Sequence, residues 1–225
     1  MNSKNHNVAD ITINLVQASQ ILTFVKLRPG VSTTELSEAI GIQKGPLLRL
    51  ATGLVGLGLL DSLGKRQGKP PSKLQKRYRF KYIVTQEGSK LQEALGCLSR
   101  GNTKPHNGDN TSSYLKDTHL KFSAAGKILD VLAVSPVRLS ASAIRIVMGE
   151  SGYTYKNLTT HLWTLEDIGL AKGEKGMMET ARGQTRATTL FSATDNGKAV
   201  ADVYKRILLR VEESKPRALS QRIGA

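Results

Sequence analysis

The sequence predicts an α+β, mostly helical chain built as two tandem copies of one small unit. Three observations predict it. Apolar residues recur at helical spacing in segments that alternate with short β-type runs. Residues 99–118, SRGNTKPHNGDNTSSYLKDT, carry Gly, Asn, Ser, Thr and charge without apolar periodicity, as a linker does. The segments on either side of it repeat each other.

The repeat is legible at three places. ILTFVKLRP, from Ile21 to Pro29, aligns with ILDVLAVSP, from Ile128 to Pro136, at an offset of 107. LVGLGL at Leu54 aligns with LEDIGL at Leu165, offset 111, and VTQEGSKL at Val84 with ATDNGKAV at Ala193, offset 109. The order is kept and the offset drifts by a few residues. Two copies are too few for a solenoid. The boundaries read as a first domain over 8–98, a polar linker over 99–119, a second domain over 120–212 and a flexible basic tail over 213–225.

In the first copy, the apolar spacing predicts a helix over 11–27, stopped by Pro29-Gly30. Ser32-Thr33-Thr34-Glu35 is a capping-box pattern and opens a short helix over 33–40, ended by Gly41. A third helix starts near Lys44, with Pro46 in its first turn, and points Leu47, Leu50, Leu54 and Leu57 inward. Gly53, Gly56 and Gly58 weaken its second half by about 1 kcal/mol each relative to Ala. Strands follow over 59–63 and 77–84, the second with Tyr78, Phe80 and Tyr82 on one face and Arg79 and Lys81 on the other. Thr85 opens a last helix to about residue 98.

The second copy follows suit. Helices are predicted over 123–134, from the Ser140 cap to about Met148, and over 154–168 with Leu158, Leu162 and Leu165 inward. Short strands are predicted near 170–172 and 187–192, and a closing helix from Thr194 to about Val211. Its turn over 149–153, GESGY, is about three residues longer than Gly41-Ile42.

Composition narrows the function classes. The chain has 225 residues, 39 % of them hydrophobic and only 5 % aromatic, which suits small aliphatic cores. A formal net charge of +15 points to a polyanionic partner, nucleic acid before an anionic membrane surface. Cys97 is the single cysteine, so an intrachain disulfide and cysteine-rich zinc sites are excluded. His6, His106, His119 and His161 have no shared-face metal spacing, so no metal and no cofactor is expected. Gly56-x-Gly58 fails as a dinucleotide turn because Asp61 holds the last place. No nucleophile motif of the G-x-S-x-G kind is present, and the chain reads as non-enzymatic. The polar start, MNSKNHNVAD, reads without a signal peptide, and the longest apolar stretch, around 54–60, is too short to span a bilayer. The expectation is a cytoplasmic protein with no membrane partner.

Residues 64–82, GKRQGKPPSKLQKRYRFKY, hold eight cations and no acid. Alone, such a run is a solvated surface, a disordered tract or a targeting address. Its place between two strands, matched by GEKGMMETARGQTRATTLF in the second copy, makes residues 64–76 the tip of a hairpin, with Tyr78, Phe80 and Tyr82 anchoring the returning strand.

Three helices, a hairpin and a closing helix, carried by residues 32–60 with 85–91 and by 140–170 with 194–200, resemble winged helix-turn-helix domains. The "helix, Gly-Leu, hairpin, Thr-x-x-Gly, helix" order is especially similar to bacterial and archaeal winged-helix regulators. The resemblance implies a third helix in the DNA major groove and a wing on the backbone or minor groove. It implies base-reading positions at Gln43, Lys44 and Arg49 in the first copy, and at Thr154, Tyr155, Lys156, Asn157 and Thr160 in the second. It makes Lys65, Arg66, Lys69, Lys73, Lys76, Arg77 and Arg79 the first wing, with Arg182 and Arg186 at the second. The side chains suit base recognition, since Gln and Asn pair with adenine, and Arg and Lys with guanine. Tyr155 reads either as a base contact or as a packing residue of the longer turn. Leu48 faces a thymine methyl or a neighbouring element. Trp163 reads as core or as a contact between the copies.

The resulting expectation is a non-enzymatic, sequence-specific double-stranded DNA-binding protein, a transcription regulator associated with the nucleoid when bound. A plasmid or phage replication-initiation or partition protein shares every feature. A protein-interaction adaptor and an RNA binder are the readings of another class. The first and closing helices each offer a seam for a homodimer.

Overall fold

Each unit begins its folding instructions at a cap. Ser32 accepts from the Glu35 N–H while the Glu35 carboxylate accepts from the Ser32 N–H at 2.8 Å, the reciprocal pairing of a capping box. Thr85, Ser140, Thr154 and Thr194 cap through their hydroxyls in the same way, accepting from the N–H three residues on.

The computed structural model describes residues 13–63, 81–96, 120–149, 153–179, 183 and 185–213. The first unit runs α1 (Leu15–Leu27), β1 (Val31–Ser32), α2 (Thr33–Ile40), α3 (Lys44–Gly56), β2 (Leu60–Leu63), β3 (Lys81–Val84) and α4 (Gln86–Ala94). The second runs α5 (Phe122–Val134), β4 (Leu139–Ser140), α6 (Ala141–Val147), α7 (Tyr155–Asp167), β5 (Ala171–Glu179), β6 (Thr185–Ala193) and α8 (Asp195–Glu213). The architecture is α+β and mostly helical. Among the described residues there are eight helices and two antiparallel three-stranded sheets, ordered β1-β3-β2 and β4-β6-β5. The two sheets have the same topology: the last strand in sequence lies in the centre.

The two-residue strands β1 and β4 are absent from the sequence-based expectation. Each pairs with the central strand just before a capped helix, Val31 with Tyr82 and Leu139 with Phe191. The second hairpin is also longer than its sequence predicts. Nine residue pairs run from Ala171–Ala193 to Glu179–Thr185. Gly173 and Gly176 mask the strand pattern in β5, but the ladder carries through them. In the first hairpin the described pairing runs from Leu60–Val84 to Leu63–Lys81, and residues 64–80 lie outside the described part.

Leu22, Leu36, Leu47, Leu54, Leu59, Leu60 and Leu91 fill the first core. Ile128, Leu129, Ile144, Leu158, Leu162, Leu165 and Phe191 fill the second. Each such side chain contributes roughly 1.5–3 kcal/mol by leaving water. Leu50, placed inward by its spacing, is only half-buried.

The closing helix docks identically in both units. Gly58 and Gly169 follow the third helix with φ +69° and +75°, a conformation that favours glycine. Their carbonyls accept from the Thr85 and Thr194 hydroxyls at 2.7 and 2.8 Å. Gly88 and Gly197 then lie against the Leu59 and Leu170 carbonyl oxygens, where a Cβ would collide with backbone.

The units also touch each other. Asn14 and Lys121 form an antiparallel bridge, with Leu15 N–H donating to the Leu120 carbonyl at 3.1 Å and Phe122 N–H to the Ile13 carbonyl at 2.9 Å. Helix α8 packs along α4, and Arg206 reaches Glu87 at 3.2 Å.

Gly88→Ala and Gly197→Ala are expected to destabilise by at least 1–3 kcal/mol, the range for overpacking against atoms that cannot yield. Gly56→Ala, with open space around the new methyl, is expected to stabilise by about 0.5–1 kcal/mol. Urea unfolding midpoints at unchanged slope measure both.

Candidate nucleic-acid interface

Helix α3 is amphipathic by position. Leu47, Ala51 and Leu54 are buried, which turns Gln43, Lys44, Leu48 and Arg49 to solvent. Gln43 is the N-cap residue, but its side chain makes no capping bond, so the amide stays available. Pro46 occupies the first turn, where a missing N–H costs nothing. Leu48 is 39 % exposed beside Arg49.

Helix α7 repeats the arrangement. Leu158, Leu162 and Leu165 are buried; Thr154, Tyr155, Lys156, Asn157 and Thr160 are exposed. Thr159, Thr160 and Thr164 donate their hydroxyls to the carbonyls of Tyr155, Lys156 and Thr160 at 2.8, 3.0 and 3.0 Å. At Thr160 this back-bond uses the hydroxyl's one hydrogen, so its oxygen retains acceptor capacity. Tyr155 is 50 % exposed. The packing tyrosine of this turn is Tyr153, half-buried edge-on to His161 at 6.2 Å.

Two contacts fix α7 against its hairpin. Trp163 meets Phe191 edge-on at 5.4 Å, so this partly exposed ring packs α7 onto β6 within its own unit. The Gly173 N–H donates to Glu166 Oε1 at 3.1 Å and ties the end of α7 to β5.

The hairpins contribute fewer described residues. Lys81 is exposed on β3 while its neighbour Tyr82 is buried, as strand alternation requires. Arg186 is exposed on β6, in register with Met178, and so stands on a strand rather than at a tip. Lys65, Arg66, Lys69, Lys73, Lys76, Arg77, Arg79 and Arg182 lie outside the described residues, as does Cys97. Sequence reasoning missed Lys175 and Met177, exposed on β5, because it ended that strand at Lys172. The residue pattern EKGMME, continued opposite Arg186-Ala-Thr, was the signal that could have found them.

The cations divide into two groups. Five cations away from the third helices and hairpin ends are neutralised within the molecule: Lys26 by Glu93 at 2.9 Å, Lys90 and Arg206 by Glu87, Lys198 by Asp195, Lys205 by Asp130 at 2.7 Å. The bond to Asp130 raises the Lys205 ammonium above its ordinary value. At the base of the second hairpin, Arg138 and Lys172 share Glu174. The Lys172 hydrogen bond first, and the nearby Arg138 charge, hold its carboxyl below the usual range. By contrast, Lys44, Arg49, Lys81, Lys156, Lys175 and Arg186 have no acidic partner among the described residues. Lys121 and Lys127 share that condition on α5 and just before it.

Among the described residues no group of three or more His, Cys, Asp or Glu is placed to hold a metal ion, and no helix is long and apolar enough to cross a membrane.

Burial holds the His161 imidazole below the ordinary histidine value, so the folded chain favours its neutral form. Below about pH 6.5 the unfolded chain therefore binds more protons than the folded one. This contribution to stability is complete above that pH and is lost as pH falls toward the folded-state value. The urea midpoint is expected to be lower at pH 5 than at pH 7.5. His161→Gln, which removes the titration, is expected to narrow that difference.

No protein-family model matches the chain, and no curated protein matches it in sequence.

Proposed function

We propose that the chain binds double-stranded DNA through two winged-helix units and acts as a sequence-specific regulator. One observation carries this reading: Lys44 and Arg49 on α3, Lys156 on α7, and Lys81, Lys175 and Arg186 on the hairpin strands are exposed with no acidic partner among the described residues. A charge left unpaired in the folded state is free for an external anion. The formal charge follows the same division, with 14 basic and 6 acidic residues over 1–98, and 13 and 8 over 120–210.

On this reading the N-terminal turns of α3 and α7 enter successive major grooves. Arg49 presents a fork for guanine O6 and N7, and Asn157 an amide for adenine N6 and N7. Lys44, Lys156, Lys81, Lys175 and Arg186 neutralise phosphates, which sets affinity and register without reading sequence. The basic run over 64–82 extends that function to the first wing. Lys44 to Gly56 contains no acid, so nothing on α3 repels the backbone.

Retardation of a duplex pool is expected to fall steeply with salt, at a slope of about −0.9 per phosphate contact in log K against log salt. Neutralising Lys65, Arg66, Lys69 and Lys73 together is expected to weaken all sequences alike and to flatten that slope. Arg49→Ala and Asn157→Ala are expected to cost about 1–3 kcal/mol on the selected site and to change which sequence is selected. Absence of retardation at low salt, or salt-independent binding, would overturn the proposal. Preference for structured RNA over duplex would replace it with RNA binding.

A further inference from the structure

The contact between the units joins equivalent positions. Asn14 and Lys121 are 107 residues apart, the offset that aligns α1 with α5, and they pair with each other. The two bonds across the bridge are reciprocal. Leu15 N–H donates to Leu120, and exchanging the units converts this bond into the one from Phe122 N–H to Ile13. A contact in which residue i meets j and the counterpart of j meets the counterpart of i is isologous, the mark of a two-fold axis.

The closing helices give an independent second observation. A cleft of about 310 Å³ between α4 and α8 is lined by Lys90, Glu93 and Ala94 from one helix. Their counterparts at offset 109, Ala199, Asp202 and Val203, line it from the other. The helices run antiparallel. The first turn of α4 carries Glu87, which meets Arg206 far along α8, and Arg210 beyond it lies over Gly58, whose carbonyl holds the Thr85 cap of α4. Antiparallel packing of equivalent helices through equivalent positions again requires a two-fold.

We infer that the two units are related by an approximate two-fold axis and that the chain reads two unlike half-sites in opposed orientation at one fixed spacing. The inference rests on the proposed DNA binding and specifies its target. Two units tethered only by a flexible linker would accept half-sites in direct or opposed orientation. Here the backbone bridge and the α4–α8 seam fix α3 against α7 before DNA is met. Protein symmetry then dictates the symmetry of the site. The half-sites differ because the reading faces differ: Gln43 and Arg49 on one, Tyr155 and Asn157 on the other.

The test begins with the full chain and duplexes selected from random sequence, which define the two half-sites. These are rebuilt in convergent, divergent and direct orientation over a series of spacers, and binding of each duplex is measured by titration. One opposed arrangement at one spacing is expected to bind at least tenfold more tightly than any direct repeat. Glu87→Lys, which sets a cation against Arg206, is expected to broaden the accepted spacings and leave binding to an isolated half-site unchanged. Adding Arg206→Glu restores the pair and is expected to restore the spacing preference. Equal binding to direct and opposed repeats, or to all spacings, overturns this inference and leaves the DNA-binding proposal intact. Failure to retain any duplex overturns both.

Discussion

The seating of the closing helix on bare backbone is the constraint from which the rest of the structure follows. Gly88 and Gly197 bring α4 and α8 against the Leu59 and Leu170 carbonyls, at the point where the third helix gives way to the hairpin. The Thr85 and Thr194 hydroxyls lock the same corner from the other side. Helix, hairpin and closing helix therefore meet at one vertex in each unit. That vertex sets the direction in which the third helix shows its exposed face. It also sets the outer face of the closing helix, through which the two units pack together.

Electrostatics adds a second layer to this geometry. Pairing an exposed Lys or Arg with an acid is worth little in stability, typically below 1 kcal/mol. Its consequence is the shape of the remaining field. Asp130, Glu87, Asp195 and Glu93 cancel cations on the seam and its flanks. Exposed cations without an acidic partner among the described residues remain on the third helices and hairpin strands, at Lys44, Arg49, Lys81, Lys156, Lys175 and Arg186. Glu87 does this twice, serving Lys90 in its own helix and Arg206 in the other unit.

Much of the fold was legible because it is written locally. The capping box at Ser32, the caps at Thr85, Ser140 and Thr194, and the leucine spacing of α3 and α7 each need only a few adjacent residues. The exposed positions of those helices followed directly, and the geometry sets Gln43, Lys44, Arg49, Tyr155, Lys156 and Asn157 to solvent. Three things were illegible for physical reasons. Strands of two residues, such as β1 and β4, are shorter than any period. The length of β5 depends on pairing with β6, which overrides the glycines at 173 and 176. The bridge at Asn14 and Lys121 is made by backbone groups, so no side chain advertises it. The partner of Trp163 was equally hidden, because an aromatic residue on a helix does not reveal whether it meets a strand or another unit.

The two units are one covalent chain, and the bridge between Ile13–Leu15 and Leu120–Phe122 is therefore formed at a local concentration that dilution cannot change. A regulator that assembles from separate subunits loses its paired form as its copy number falls, so its occupancy of a site responds to protein level with a threshold. Here the pair is present at every copy number. On the proposed function, occupancy would rise hyperbolically with the number of molecules, and a single molecule in a cell would already be a competent reader.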